Sequence, residues 1–195
     1  CEAELTDFDG ATTIIRPGLV SGPGDPTDRF TYWPVRFSEL DEILVPGTPD
    51  TPIQYIDVRD LAEFMVDVAE QGIEGVFNVC TPRNAHTMGD LVQACKEAAE
   101  APASPVWGGA EFLEKHEVAP WSDLPVWVPA DSPFAGAIQS QASRAMAAGL
   151  KFHPLLETVR DTLLWFQSER GDELRGGASK DRLSDLLELF RCDLE

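Results

Sequence analysis

The chain has 195 residues, 43% of them hydrophobic, and a formal net charge of -19. That length and apolar content suffice for one ordinary domain with a sizeable core. The 34 acids against 15 basic residues disfavour a nucleic-acid partner, which needs clustered Lys and Arg, and no apolar run reaches the roughly 18 residues of a membrane span.

Four lysines stand beside eleven arginines. A carboxylate-rich, lysine-poor surface stays hydrated in salt, where screening removes most of its self-repulsion. A salt-adapted source and an ordinary acidic bacterial protein both fit. The cysteines at 1, 80, 95 and 192 form no C-x-x-C pair and read as reduced thiols, which suits a cytoplasmic protein. The opening Cys1-Glu-Ala-Glu-Leu5 has no basic or apolar signal region. It lacks an initiator methionine and reads as the interior of a helix, the expectation for a fragment.

In chain order, residues 2–9 read as a helix end closed by Gly10. Residues 12–16 are a β-branched strand stopped by Pro17. A glycine- and proline-rich loop over 18–37 follows, at the kind of strand end where open α/β sheets place ligands. Residues 42–45 and 53–56 are short strands around a Pro46-Gly47 turn. Asp57 is an N-cap with Asp60 in the capping-box place, and Leu61, Phe64, Met65 and Val68 form one buried helical face. Residues 76–79 are a buried strand, and Thr87 with Asp90 opens the next helix.

Residues 101–135, rich in Pro and Trp, read as irregular packed structure around a short helix near 110–116. Ser140 caps a helix ending at Gly149. Pro154 starts another with Leu155, Val159, Leu163 and Phe166 inward. Residues 171–179 are a mobile linker, and 180–195 form an amphipathic helix with Leu183, Leu186, Leu187 and Phe190 on one stripe. The strands at 12–16 and 76–79 suit one parallel sheet, buried on both faces and needing neighbours. An apolar edge beside Thr13 to Ile15 should therefore stand exposed.

Several chemistries find no motif. His86, His116 and His153 are far apart, and there is no H-E-x-x-H, so no metal is expected. Asp57 and Asp60 suit capping better than acid catalysis. Gly18, Gly22 and Gly24 have the wrong spacing for a phosphate loop, and no G-x-S-x-G occurs.

Four segments in order carry a resemblance. They are Ile15-Arg-Pro-Gly-Leu-Val-Ser-Gly-Pro-Gly-Asp25, Gln54-Tyr-Ile-Asp-Val-Arg-Asp-Leu-Ala62, Gly75-Val-Phe-Asn-Val79 with Thr87-Met-Gly-Asp-Leu91, and Ser143-Arg-Ala-Met-Ala-Ala-Gly-Leu150 leading to Pro154. The chain resembles the C-terminal half of an extended short-chain dehydrogenase/reductase, the NAD-dependent epimerase/dehydratase family, over residues 1 to about 168. The resemblance implies an α/β fold class: the C-terminal part of a Rossmann-like doubly wound parallel sheet plus a small α+β substrate domain. It divides the chain into 1–170, the linker 171–179 and the helix 180–195.

The family's Tyr-x-x-x-Lys pair and glycine-rich first turn are absent from these residues, because Arg36 and Arg59 stand four places after the only tyrosines, Tyr32 and Tyr55. No catalytic residue is therefore assigned. What the resemblance carries over is a wall against the nicotinamide of NAD or NADP at Pro17, Gly18, Leu19 and Val20, and a substrate pocket at Arg29, Tyr32, Trp33, Gln54 and Tyr55. An arginine that binds nucleotide-sugar diphosphate in relatives is replaced by Ile53, which favours a small carbonyl substrate. The resemblance thus implies a small-molecule substrate, NAD or NADP held mainly by sequence outside this stretch, a homodimer, and hydride transfer in the complete protein. The alternative is a non-catalytic binding protein of the same fold, with a protein or, less favoured, an RNA partner.

Overall fold

The computed structural model describes Glu2, residues 9–100 and residues 102–193. The helix expected over 2–9 falls almost wholly outside them, as does Cys1. Strand β1 (Thr13–Pro17) pairs in parallel with β6 (Gly75–Val79), Thr13 opposite Gly75 and Pro17 opposite Val79. This is the expected parallel pair. Beyond Gly18 the chain continues as β2 (Leu19–Ser21), which pairs in parallel with β5 (Tyr55–Asp57) instead. Gly18 donates its backbone N–H to the Val79 carbonyl at 2.9 Å, so the partner exchange takes place at that residue.

Two further pairs complete the strands. Strand β3 (Glu42–Pro46) runs parallel to β8 (Ser104–Gly108), and β4 (Pro52–Ile53) runs antiparallel to β7 (His86–Thr87). Strand β8 lies inside the stretch expected to be irregular. Pro105 gives no donor to a ladder, which hides a strand from sequence reasoning. Its place in a strand with one partner among the described residues is where a proline is tolerated.

The main core surrounds helix α1 (Tyr32–Glu39), which sequence reading left inside a loop. The segment is short and carries Pro34, but a proline in the first helical turn removes no intrahelical bond. Tyr32 through Phe37 are all buried, as expected for a helix enclosed on every side. Around it pack α3 (Met88–Ala98), α6 (Leu155–Trp165) and α7 (Lys180–Asp193), through Leu91, Cys95, Val159, Leu183 and Leu186. A second core joins α2 (Val58–Glu70) to β1, β5 and β6 through Ile56, Phe64, Val68, Phe77 and Val79. Thr13 to Ile15 are half-buried and pair only with β6 among the described residues, leaving the other edge of β1 open.

Several local expectations change. Met65, expected inward, is 50% exposed, because Leu61, Phe64 and Val68 already fill the inner face of α2. Asp57 caps α2 by accepting from the Arg59 N–H at 2.8 Å. Asp60 does not close a capping box; its carboxylate instead takes the His153 N–H at 2.9 Å and the His153 ring at 2.5 Å. Thr87 and Asp90 do form the reciprocal box at the start of α3. Helix α5 (Ser143–Ala147) begins after Ala142, while Ser140 is held by Gln54.

The segment 171–179, expected to be a mobile linker, carries contacts that a free linker lacks. Arg175 N–H donates to Asp28 at 2.8 Å and Ala178 N–H to the Asp123 carbonyl at 2.7 Å. Ala178 is buried in the main core. Its three glycines allow freedom that these tertiary hydrogen bonds restrict.

Candidate functional site

A groove of about 390 Å³ opens where β1 ends. Its wall is Pro17, Gly18, Leu19 and Val20, and Arg29 lies on its lining. These are the four residues expected against a nicotinamide and one of the five expected to face a substrate. The groove forms here because Pro17 ends one pairing and Gly18 admits the turn into the next. A Cβ at Gly18 would lie 3.0 Å from the Cys80 Cβ, so the absent side chain serves close packing of β2 against the end of β6.

The other four candidates lie elsewhere. Tyr32 and Trp33 are fully buried in the main core, packed edge to face with each other, ring centroids 5.1 Å apart. The Trp33 ring N–H donates to the Pro125 carbonyl at 2.9 Å. Tyr55 is buried between Phe30 and His86, 5.5 Å from each ring. Gln54 is a buried clamp. Its amide nitrogen donates to the carbonyls of Thr81 and Ser140 at 2.8 and 2.9 Å, and its oxygen accepts the Ser140 N–H at 2.9 Å. Burial pushes both tyrosine hydroxyls well above their ordinary titration range. Neither tyrosine can present an acid to the groove.

Two carboxylates that sequence reasoning passed over build the loop bearing Arg29. Asp25 is 5% exposed. One of its oxygens accepts from the Thr27 N–H and hydroxyl at 2.9 Å each and from the Asp28 N–H at 3.1 Å. The other accepts from the Phe30 and Thr31 N–H groups at 3.2 and 3.4 Å and from the Thr31 hydroxyl at 3.1 Å. Six donors on one carboxylate satisfy buried backbone groups that would otherwise be orphaned. Asp28, fully buried, has a φ of 57°. It accepts from Arg170 at 2.5 Å and from the Arg175 N–H, fastening the loop to the segment that follows α6. The signal was an Asp with a Thr two places on, an Asx turn that Pro26 helps to set.

The opposite rim comes from the Trp-rich stretch. Trp121 and Ala137 line the groove. Asp123 closes the loop under Trp121, its N–H donating to the Ala119 carbonyl and its carboxylate accepting the Ala119 N–H, both at 2.9 Å. Trp121 itself has a φ of 65°, uncommon for a bulky residue. Arg29 makes no ion pair with a described carboxylate. Arg29 is half-exposed on the groove lining, while the Asp25 oxygens are taken up by their own loop. Among the described residues no group of three or more His, Cys, Asp or Glu side chains is placed to hold a metal. No described helix is long and apolar enough to cross a membrane.

Parallel strand pairs linked through helices, with a groove at a strand's C-terminal end, define a Rossmann-like α/β fold. It is a fold shared with solved structures that include a UDP-glucose 4-epimerase in complex with NAD and a GDP-L-fucose synthetase bound to NADP. The chain is similar to RMD from Pseudomonas aeruginosa complexed with NADPH, with a TM-score of 0.58 and 16% identity over 86% of this chain and 52% of that one. It is similar to UDP-glucose 4-epimerase from Thermus thermophilus in complex with NAD (0.57, 22%, 86% and 50%). A GDP-L-fucose synthetase from Naegleria fowleri bound to NADP gives 0.57 and 15% over 84% and 48%. The chain thus spans about half the length of these structures. At these identities the likeness shows the fold. No family profile and no curated protein matches the chain.

Proposed function

We propose that this chain supplies the substrate side of an NAD(P)-dependent oxidoreductase or epimerase-like protein. The observation that carries the reading is the convergence of Pro17, Gly18, Leu19, Val20 and Arg29 on one groove at the end of β1. The fold is shared with structures that hold NAD, NADP or NADPH. The groove's composition fits one end of such a cofactor. A flat apolar wall suits the nicotinamide ring, and nothing on that wall resembles a glycine-rich cradle for its diphosphate. Pro17 to Val20 would hold the ring face, Arg29 would orient a substrate, and the loop tied by Asp25 and Asp28 would keep Arg29 in place. The cofactor, when bound, would donate or accept a hydride at a substrate carbon.

The proton that accompanies the hydride needs a separate acid. Both tyrosines of this chain are buried away from the groove, so on this reading the acid comes from residues outside the stretch. The same burial favours a second reading, a protein of this fold that binds without turnover.

Titration of the full-length protein with NADH and NADPH, followed by a screen of small carbonyl compounds, tests both. Binding of either dinucleotide with turnover of a carbonyl compound supports the first. Binding without turnover supports the second. A protein that binds neither dinucleotide contradicts the oxidoreductase reading.

A further inference from the structure

The groove at the end of β1 also bears on what kind of substrate would enter it, and this step rests on the reading just given of that groove as a ligand site. Three of its features act together. The first is size. At about 390 Å³ it lies toward the small end of the roughly 300–1,000 Å³ found for ligand pockets. The second is charge. The chain carries a net -19, so an anion is repelled from most of its surface. At this groove, however, Arg29 makes no ion pair with a described carboxylate. One planar guanidinium matches one carboxylate through two parallel hydrogen bonds. Asp25, on the same lining, has its oxygens occupied by six donors of its own loop.

The third feature is Trp121. Its indole is partly exposed on the groove rim, and its backbone has a φ of 65°. Backbone strain of this kind persists only where surrounding bonds over-determine it, and it gathers at ligand sites. Here the surrounding bonds are the two that Asp123 makes to Ala119. Leu19 and Val20, assigned above to the nicotinamide, share the lining with Trp121. The lining thus combines a cationic residue, an aromatic one and apolar ones.

We propose that this groove binds a small aromatic monocarboxylic acid, with the carboxylate on the Arg29 guanidinium and the ring against Trp121. The aromatic contacts foreseen at Tyr32 and Trp33 are supplied instead by a residue about ninety places later in the chain.

Calorimetry on the full-length protein tests this with four probes: phenylpyruvate, phenylacetone (same body, no charge), pyruvate (same head, no ring) and UDP-glucose. Phenylpyruvate is expected to bind about tenfold or more tighter than each of the other three, the scale of one charge-assisted contact or one stacked ring. Arg29→Gln should remove about tenfold of its affinity, with Arg29→Lys restoring part. Trp121→Asn, chosen because asparagine tolerates a positive φ, should weaken phenylpyruvate and leave pyruvate unchanged. Should Trp121→Asn fail to fold, the Arg29 pair still decides, since that side chain makes no described ion pair.

Tighter binding of UDP-glucose than of phenylpyruvate overturns the proposal. So does phenylpyruvate affinity that Arg29→Gln leaves unmoved, or no phenylpyruvate binding at all. Parallel NADH and NADPH titrations separate the two readings. Phenylpyruvate binding without dinucleotide binding upholds this proposal and removes the oxidoreductase reading, and the reverse result does the opposite.

Discussion

Gly177 lies against the face of the buried Tyr32 ring, and a Cβ built at Gly177 would overlap that ring. Its φ of 82° is a conformation L side chains rarely adopt. One glycine therefore seats the segment before α7 on the centre of the main core. Gly177→Ala is expected to cost roughly 3 kcal/mol, from about 1 for the left-handed backbone and about 2 for overpacking. Gly24 has a φ of 88° with nothing within 4 Å of its would-be Cβ. Gly24→Ala should cost only about 1 kcal/mol. Urea denaturation of the two variants checks the difference, and equal losses would mean that Gly177 is not packed as described.

Asp25 organises the groove loop more than any other residue. Asp25→Ala leaves six donors around a void, and stability should fall by about 3 kcal/mol. Asp25→Asn keeps one carbonyl oxygen and should lose less. If the loop is what presents Arg29, both variants also weaken whatever the groove binds. Paired denaturation curves and ligand titrations would show this, and an Asp25→Ala protein as stable as the parent would count against it.

The cysteines should differ in reactivity. Burial pushes the Cys80 thiol up to about 11 and the Cys95 thiol well above its ordinary range, so both remain protonated and shielded at neutral pH. Cys192 is exposed near the end of α7. Brief alkylation of the native protein, read by peptide mass mapping, should modify Cys192 and spare Cys80 and Cys95 until denaturant is added. Native labelling of Cys95 would contradict the burial of α3.

His153 and Asp60 give a pH signature. The hydrogen bond to Asp60 raises the His153 pKa above its ordinary 6.5. A folded pKa above the unfolded one contributes stability that is fully present below 6.5 and is lost as pH rises through the folded value. His86 has the opposite sign. Burial lowers its pKa, so its contribution is present above 6.5 and is lost as pH falls through the lower folded value. The melting temperature of the parent minus that of His153→Gln should therefore be largest below pH 6.5 and shrink above it. A difference that grows with rising pH would refute the pairing.

What the linear sequence determined was local. Thr12 to Arg16 read as a strand because β-branched residues run into a proline. Thr87 and Asp90 read as a capping box because both partners lie within four residues. Leu155, Val159, Leu163 and Phe166 read as one helix face because their spacing is helical. The groove wall at Pro17 to Val20 was legible for the same reason, since a proline and a glycine after a strand mark a place where pairing stops.

Tertiary structure decided the rest, because it depended on partners far away in the chain. Tyr32, Trp33 and Tyr55 carry the same chemistry in a pocket as in a core, and only their burial in the main cluster assigned them to the core. Gln54 became a clamp because Thr81 and Ser140 come to it from 27 and 86 residues away. Trp121 reached the groove through a loop closed by Asp123, within a stretch whose prolines and tryptophans give no period to read. Residues 171–179 lost the freedom their composition suggested because Asp28, Asp123 and the Tyr32 ring hold them. Composition reports what a segment can do alone; its place in this fold was set by long-range hydrogen bonds and packing.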